Sequence, residues 1–321
     1  MTKVKVLVLG GMREDALDDL KENFEVTIGP VGHRLADDYQ WVIKNISEYD
    51  ALIAVKMPID RKIIDCAKNL KIISTYGVGV DHIDTEYAAE KGIVVSNCPE
   101  SVTRPTAELA LTLILACARK LHYYDHTMRQ GVFLDVSDYD DQGETIEGKT
   151  LGIFGMGRIG GTIARFAHAL GMKIIYHNRH RVSAELEKEL DAEYVDFDTL
   201  LANSDFLSLN APATKETENI INADALKKMK SNAYLINTSR GSLVDQDALI
   251  SALKGNEIAG AGLDVFDDEI RPDRHLTELD NVIMTPHVGS ATHRARYRLT
   301  KEASRNIISY LKDGKALNQV N

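Results

Sequence analysis

The chain has 321 residues, 44% of them apolar, and a formal net charge of −10. That length supports two domains with a core each, and the acidic balance argues against sequence-independent binding to nucleic acid or to an anionic membrane. Cys66, Cys98 and Cys117 have no metal-ligand spacing and are odd in number, so no metal site is expected and a reducing compartment suits them.

In chain order, the opening "MTKVKVLVLGG" reads as a period-two strand that ends in glycines, without a signal-peptide cleavage pattern. Val4–Leu9, Ala51–Val55, Ile72–Thr75 and Ile93–Ser96 read as strands of a first unit. Arg104 to Gln130 has helical periodicity and few breakers, which predicts one helix crossing from one domain to the other. Its stretch from Leu109 to Ala118 is the longest apolar run and falls far short of a membrane span. Gln130 to Lys149 is acidic and glycine-punctuated, a surface connection. A second strand series follows at Thr150–Phe154, Lys173–Tyr176, Phe206–Leu209, Ala233–Asn237, Gly260–Asp264 and Val282–Thr285. The last helical stretch, about Thr292 to Asp313, is expected to pack back onto the first unit. Strands alternating with helices predict doubly wound α/β structure in two Rossmann-like domains. The first is discontinuous, 1–102 plus 291–321, and the second spans 103–290. A soluble, cytoplasmic protein is expected.

The strongest local signal is "TLGIFGMGRIGGTIARFAHALGMKIIYHNRH". A strand runs directly into Gly155-Met156-Gly157-Arg158-Ile159-Gly160, and a helix follows with apolar positions at Ile163, Phe166, Ala167 and Leu170. Gly155 allows the tight turn, Gly157 lets the backbone approach a pyrophosphate, and Gly160 lets helix and strand pack closely. The helix N-terminus offers N–H groups and a positive dipole end to the anion. A glycine triplet alone also fits a structural turn; here strand, turn, helix and next strand stand in the right order for a dinucleotide.

The end of that next strand is where a carboxylate usually receives the adenosine ribose hydroxyls. Asn178 stands there, 23 residues after Gly155, and no acid occurs from Lys173 to Ser183. Arg179, His180 and Arg181 follow it. Arginines attract a ribose 2′-phosphate and can bind it bidentately. The cluster is otherwise a solvated basic turn; the reading preferred is NADP(H), with NAD(H) allowed.

Three polar groups sit where later strands end. "AYLINTSRG" terminates at Arg240, "AGLDVFDDE" leads through Asp264 to Glu269, and "VIMTPH" stops at His287. In an open α/β sheet the carboxyl ends of strands face the ligand crevice. An Arg that holds a carboxylate, a His that moves a proton and a Glu that steadies the imidazolium suit hydride transfer between a 2-hydroxy acid and a 2-oxo acid. Singly, each has a plainer reading: a surface ion pair, a solvated loop acid, a residue beside Pro286.

The segments "YGVGVDHID", "NCPESVTRPTAELAL", "GKTLGIFGMGRIGG", "LINTSRGSLVDQDAL", "AGAGLDVFDDE" and "TPHVGSAT" resemble, in order and over essentially the whole chain, the D-isomer-specific 2-hydroxyacid dehydrogenase family. The resemblance implies a formate/glycerate dehydrogenase-like fold with an interdomain active-site cleft, a substrate-binding first domain and a dinucleotide-binding second one. It implies Arg240 as the substrate-carboxylate residue, His287 as acid/base and Glu269 as its partner. Tyr76, Val78 and Gly79 match a loop that cradles the substrate carboxylate. The implied cofactor set is Thr106, Gly155, Gly157, Arg158, Ile159, Gly160, Asn178 to Arg181, Ala211, Pro212, Thr217, Thr238, Ser239, Arg240, Asp264 and His287, with Asp264 as the carboxamide contact. It further implies a homodimer joined through the cofactor domains and an NADP-using reductase of glyoxylate, hydroxypyruvate or 2-oxogluconate type.

This chain departs from the family pattern in places. Glu269 is followed by Ile270 rather than Pro, and the usual strand-end aspartate is Asn178. Between Gly131 and Gly143, where the family often has Trp, the aromatics are Phe133 and Tyr139. A C-terminal regulatory domain is not expected after Asn321. A second class stays open at this point, a dinucleotide-sensing corepressor of the same fold that binds partner peptides.

Overall fold

A computed structural model describes residues 4–30, 35–55, 57–135, 137, 142–271 and 273–321. The chain divides into two compact units, Met1–Pro105 with Ser290–Asn321, and Thr106–Gly289.

The first unit contains β1 (Lys5–Val8), α1 (Asp18–Asn23), β2 (Glu25–Ile28), α2 (Leu35–Asn45), β3 (Ala51–Ala54), α3 (Arg61–Cys66), β4 (Ile72–Thr75), α4 (Thr85–Glu90) and β5 (Val94–Ser96). These strands form one sheet in the order β2-β1-β3-β4-β5, and every pair is parallel. Both faces of such a sheet are covered, so its central strands run mostly apolar; β3 and β4 are buried at every position. Helix starts are set by side chains, Asp60 accepting from Ile63 N and Asp84 from Tyr87 N.

Helix α5 (Pro99–Ala118) begins in this unit and continues beyond Pro105 into the second. The expected helical stretch from Arg104 to Gln130 is thus corrected at two points, its start and a break at Lys120. The helix starts at Pro99 rather than Arg104, and Pro99 occupies the first helical position, where a missing N–H costs nothing. Lys120 has φ 46°, a left-handed conformation that ends α5 and starts α6 (Leu121–Arg129). The first turn of α5 is capped from a distant helix: buried Glu302 accepts from Glu100 N at 3.1 Å, Ser101 N at 2.9 Å and Ser101 Oγ at 2.5 Å.

The second unit continues with β6 (Thr150–Phe154), α7 (Arg158–Ala169), β7 (Lys173–His177), α8 (Ala184–Leu190), β8 (Ala192–Tyr194), α9 (Phe197–Asn203) and β9 (Phe206–Leu209). Then come α10 (Ala223–Lys228), β10 (Tyr234–Asn237), α11 (Gln246–Lys254), β11 (Gly260–Leu263), α12 (Arg274–Thr277) and β12 (Val282–Met284). The sheet order is β12-β11-β10-β9-β6-β7-β8, parallel throughout. The order reverses between β6 and β9, the switch point where such sheets open a crevice at their carboxyl ends.

The last helix, α13 (His293–Asp313), starts on the Thr292 side chain, which accepts from Ala295 N, and stops at Gly314 with φ 66°. Its Leu299, Ala303 and Ile307 are buried with Val6, Val8, Ile53 and Ile72 of the first unit. Burial of one such Leu or Ile contributes about 1.5–3 kcal/mol. Two strands, β2 and β8, were not expected. Both are short sheet edges, and their burial patterns mix exposed and half-buried positions. Of the acidic connection, Val136 and 138–141, including Tyr139, lie outside the described residues, whereas Phe133 is 86% exposed.

Replacing Glu302 with Ala leaves the buried N–H and hydroxyl of Ser101 and the half-buried N–H of Glu100 without their acceptor, at a cost of about 1–3 kcal/mol. Urea denaturation should show the first unit's midpoint falling accordingly at unchanged slope. A shift worth under about half a kilocalorie would contradict the cap.

Candidate active site

At the switch point β6 runs into the glycine turn. Gly155 has φ 93°, and a Cβ there would fall 2.5 Å from Ala211 N, so the turn admits only glycine. A Cβ on Gly160 would lie 2.5 Å from Gly155 O, which fixes how closely α7 approaches the turn. Gly157 is different: nothing in the chain lies within 4 Å of the Cβ it lacks. Its bareness leaves room for an outside group beside the N-terminus of α7, whose first turn carries no acid. The N–H groups of that turn have no helical acceptors and attract an anion. Asn178 secures the loop, its Oδ1 accepting from Met156 N at 2.6 Å and its Nδ2 donating to Met156 O at 3.3 Å.

The basic strand end departs from expectation. Arg179 and His180 are exposed, but Arg181 is already engaged. Its Nε and Nη2 donate to Glu187 of α8 at 3.0 and 2.9 Å, and its guanidinium lies 5.5 Å over the Tyr194 ring. The two arginines therefore do not stand equally open to a ligand. The partner carboxylate of Arg181 comes from α8 and not from the strand end. In the loop from Ala211 to Thr217, Glu216 is held below the usual carboxylate range mainly by the Thr214 hydroxyl, with the charges of Arg179 and Lys215 adding to it. In that loop Thr217 Oγ1 donates to Pro212 O at 2.7 Å, and Ser239 Oγ donates to Ala211 O at 2.5 Å. The Thr238 hydroxyl is buried and has no partner among the described residues.

Arg240, Glu269 and His287 follow β10, β11 and β12. Asn237 shapes the first exit, donating to Arg240 O at 2.8 Å and accepting from Ser239 N at 3.0 Å. A Cβ on Gly241 would meet Phe266 C at 2.1 Å, so the Arg240 backbone is pressed against the segment that leads to Glu269. Glu269 Oε1 lies 2.6 Å from His287 Nδ1, both side chains about one-third exposed. An ionised carboxylate only accepts, so Nδ1 carries the proton of that bond and Nε2 takes no part in it. The proline missing after Glu269 is replaced by a local turn, in which Asp268 Oδ1 accepts from Ile270 N and Arg271 N at 2.9 and 3.1 Å.

Asp264, 1% exposed, holds the third exit together. Its Oδ1 accepts from Thr285 Oγ1 at 2.6 Å and Val288 N at 2.8 Å, its Oδ2 from Gly289 N at 2.8 Å, and its carbonyl from His287 N at 3.0 Å. These bonds bracket His287, whose φ of 51° is left-handed. Such a conformation costs a non-glycine residue about 1–2 kcal/mol, which the bonds to the buried carboxylate offset. Thr106 lies beside the same turn, its Oγ1 3.3 Å from where a Gly289 Cβ would be. Sequence reading placed Asp264 near the cofactor but missed this clamp, because its donors follow twenty-one or more residues later in the chain.

The first unit holds its own candidate loop, Tyr76 to Val80. Three consecutive carbonyls are tied back: Gly77 O accepts from Cys98 N at 2.8 Å, Val78 O from Asn97 Nδ2 at 2.9 Å, and Gly79 O from Thr75 Oγ1 at 3.4 Å. No bond among the described residues takes the Val78 or Gly79 N–H, so both can serve an anion. Tyr76 is buried and points elsewhere, its hydroxyl donating to Arg296 O at 3.1 Å.

A family model described as D-isomer specific 2-hydroxyacid dehydrogenase, NAD binding domain, matches residues 111–289. The glyoxylate reductase of Thermococcus litoralis is 47% identical over 285 residues, 87% of this chain and 86% of that one. The chain belongs to the D-isomer-specific 2-hydroxyacid dehydrogenases. Among solved members of this dehydrogenase family, the NADPH-dependent glyoxylate/hydroxypyruvate reductase of Sinorhizobium meliloti, in complex with NADP and malonate, superposes with a TM-score of 0.88 at 32% identity, over 99% of this chain and 97% of that one. The D-lactate dehydrogenase of Aquifex aeolicus, complexed with NAD and lactic acid, gives 0.84 at 28% identity, over 96% and 95%. In this dehydrogenase no group of three or more His, Cys, Asp or Glu among the described residues could hold a metal, and no described helix is long and apolar enough to cross a membrane.

The glycines separate binding from folding. Gly157→Ala should leave the melting temperature of the free protein unchanged and weaken dinucleotide binding about tenfold, ~1.4 kcal/mol. Calorimetric titration alongside thermal melting reads both, and undiminished affinity would remove the pyrophosphate from this turn.

Proposed function

We propose that this dehydrogenase reduces a small 2-oxo acid to the D-2-hydroxy acid, with NADPH preferred over NADH and glyoxylate-like acids as substrates. The observation that carries the reading is the Glu269–His287 pair, 2.6 Å apart past the carboxyl ends of β11 and β12, in the sheet whose neighbouring strand β10 leads to Arg240. The bare Gly157, the α7 N-terminus and the Ala211–Thr217 loop fit a dinucleotide, which when bound supplies the hydride. His287 delivers the proton to the oxo oxygen, and Glu269 stabilises the imidazolium before delivery and fixes which nitrogen faces it. Arg240 offers a planar fork for the substrate carboxylate and draws charge from the oxo group. The Val78 and Gly79 amides are a carboxylate seat on the first unit.

Arg179, exposed directly after the strand-end Asn178, supports the NADP preference. Asp264 stands beside Thr106 and His287 as the carboxamide contact. Exposed Leu121, Met128, Val132 and Phe133 support a homodimer joined through the second unit. Free Cys66, Cys98 and Cys117 suit the cytoplasm.

Purified protein should oxidise NADPH with glyoxylate, hydroxypyruvate or pyruvate, and His287→Ala should lower kcat by about 10²–10⁴ while NADPH still binds. Arg179→Ala should lower the NADPH-to-NADH ratio of kcat/KM by about tenfold. Binding of NADPH without turnover of any of the three acids would favour a dinucleotide-sensing role instead.

A further inference from the structure

Of the basic groups at the end of β7, Arg181 is the one with a built environment. Glu187 is the fixed member of its ion pair. The Glu187 side chain is only 17% exposed and accepts from the Tyr176 hydroxyl at 2.5 Å as well as from Arg181. The Tyr176 oxygen in turn accepts from Val182 N at 3.1 Å, so α8 and the strand end share one network. Arg181 is the movable member, its side chain 63% exposed and lying on the Tyr194 ring. Tyr194 donates its own hydroxyl to Asn178 O at 3.1 Å, which sets the guanidinium beside the residue that ends β7.

Two charges therefore act on whatever occupies the ribose position. The guanidinium attracts a 2′-phosphate, but two of its donors are engaged and its charge is matched by a carboxylate hydrogen-bonded to it. A phosphate carries three acceptor oxygens and about −1.5 to −2 of charge near neutral pH, so it competes with Glu187 for the fork and is repelled by it. A ribose hydroxyl carries no charge and meets no such conflict.

We propose that Glu187 is a specificity-determining residue that competes with the cofactor's ribose 2′-phosphate for Arg181, moderating the preference for NADPH over NADH. The inference rests on the NADP reading above. It assigns to α8 a control over cofactor choice that neither the glycine turn nor the strand end carries. Arg179 alone then meets the phosphate in the wild-type protein. Arg181 joins it only when its fork leaves Glu187.

The test uses fragments without a nicotinamide, so that binding is read apart from turnover. Adenosine 2′,5′-bisphosphate and 5′-AMP are titrated calorimetrically into the full-length wild type, Glu187→Gln, Arg181→Met and the double variant, with melting temperatures taken in parallel. The amide oxygen introduced by Glu187→Gln still accepts from the Tyr176 hydroxyl, so this variant should fold. It should bind the bisphosphate about tenfold more tightly, with 5′-AMP affinity unchanged. Arg181→Met should alter bisphosphate affinity by less than about threefold alone and abolish the gain in the double variant. Unchanged or weaker bisphosphate binding by Glu187→Gln would overturn the inference and make Glu187 a support for Arg181 instead. A wild type that binds 5′-AMP more tightly than the bisphosphate would overturn the NADP reading itself, and the Glu187→Gln comparison would still be legible.

Discussion

A single buried carboxylate organises the strand edge from which Arg240, Glu269 and His287 emerge. Asp264 leaves β11 with its side chain turned to the chain emerging from β12, and it accepts from Thr285, Val288 and Gly289 in one cluster. A carboxylate that is 1% exposed is costly unless its oxygens are satisfied. Here the satisfying donors are those of a turn that would otherwise be strained. The left-handed His287 and the bonded Asp264 offset each other's costs, and the imidazole is delivered to Glu269 as a result. Remove the charge and the turn has no reason to keep that shape.

The parallel sheet makes this arrangement possible. All its strands run the same way, so the glycine turn, Asn178, Ala211, Arg240, Asp264 and His287 emerge along one edge although they are spread over more than a hundred residues. The same geometry brings the N-terminus of α7 and Arg240 to the edge that also carries the carboxylates of Asp264 and Glu269. Close backbone contacts set the fine placement: Gly155 against Ala211, Gly160 against Gly155, Gly241 against Phe266. Each is a spot where any side chain would push neighbouring segments of the edge apart.

Much of this was legible from the residues alone. Apolar runs marked the buried strands, and β6, β9 and the strand-end residues fell where hydrophobic pattern and glycine spacing put them. Edge strands were not legible, since β2 reads Glu-Val-Thr-Ile and β8 Ala-Glu-Tyr, half-solvated segments without a run. The break between α5 and α6 was hidden because Lys120 in a left-handed conformation leaves no glycine or proline as a marker. At the site, the Glu269–His287 contact was foreseeable as two strand exits converging on one crevice. The Arg181–Glu187 pair was not, although the acid is only six residues on, because a scan of the strand end stops before α8 begins. Asn178 was placed correctly in the chain, but its side chain is taken up by Met156 of the glycine turn, a contact across twenty-two residues. Pairings of this kind come from strand register, which no local pattern encodes.

The central claim is that the Asp264 carboxylate holds the His287 turn, and with it the imidazole we propose as acid/base, and Asp264→Asn tests it with little change in volume. Asn keeps an acceptor for Thr285 and Val288 but turns an N–H donor toward the N–H of Gly289, so one bond becomes a clash of donors. The deciding measurement is kcat for 2-oxo acid reduction by this variant at saturating NADPH. The account predicts a fall of about a hundredfold, within the range for a misplaced acid/base. A kcat within about twofold of wild type would contradict it and show that the His287 turn holds its shape without the charge.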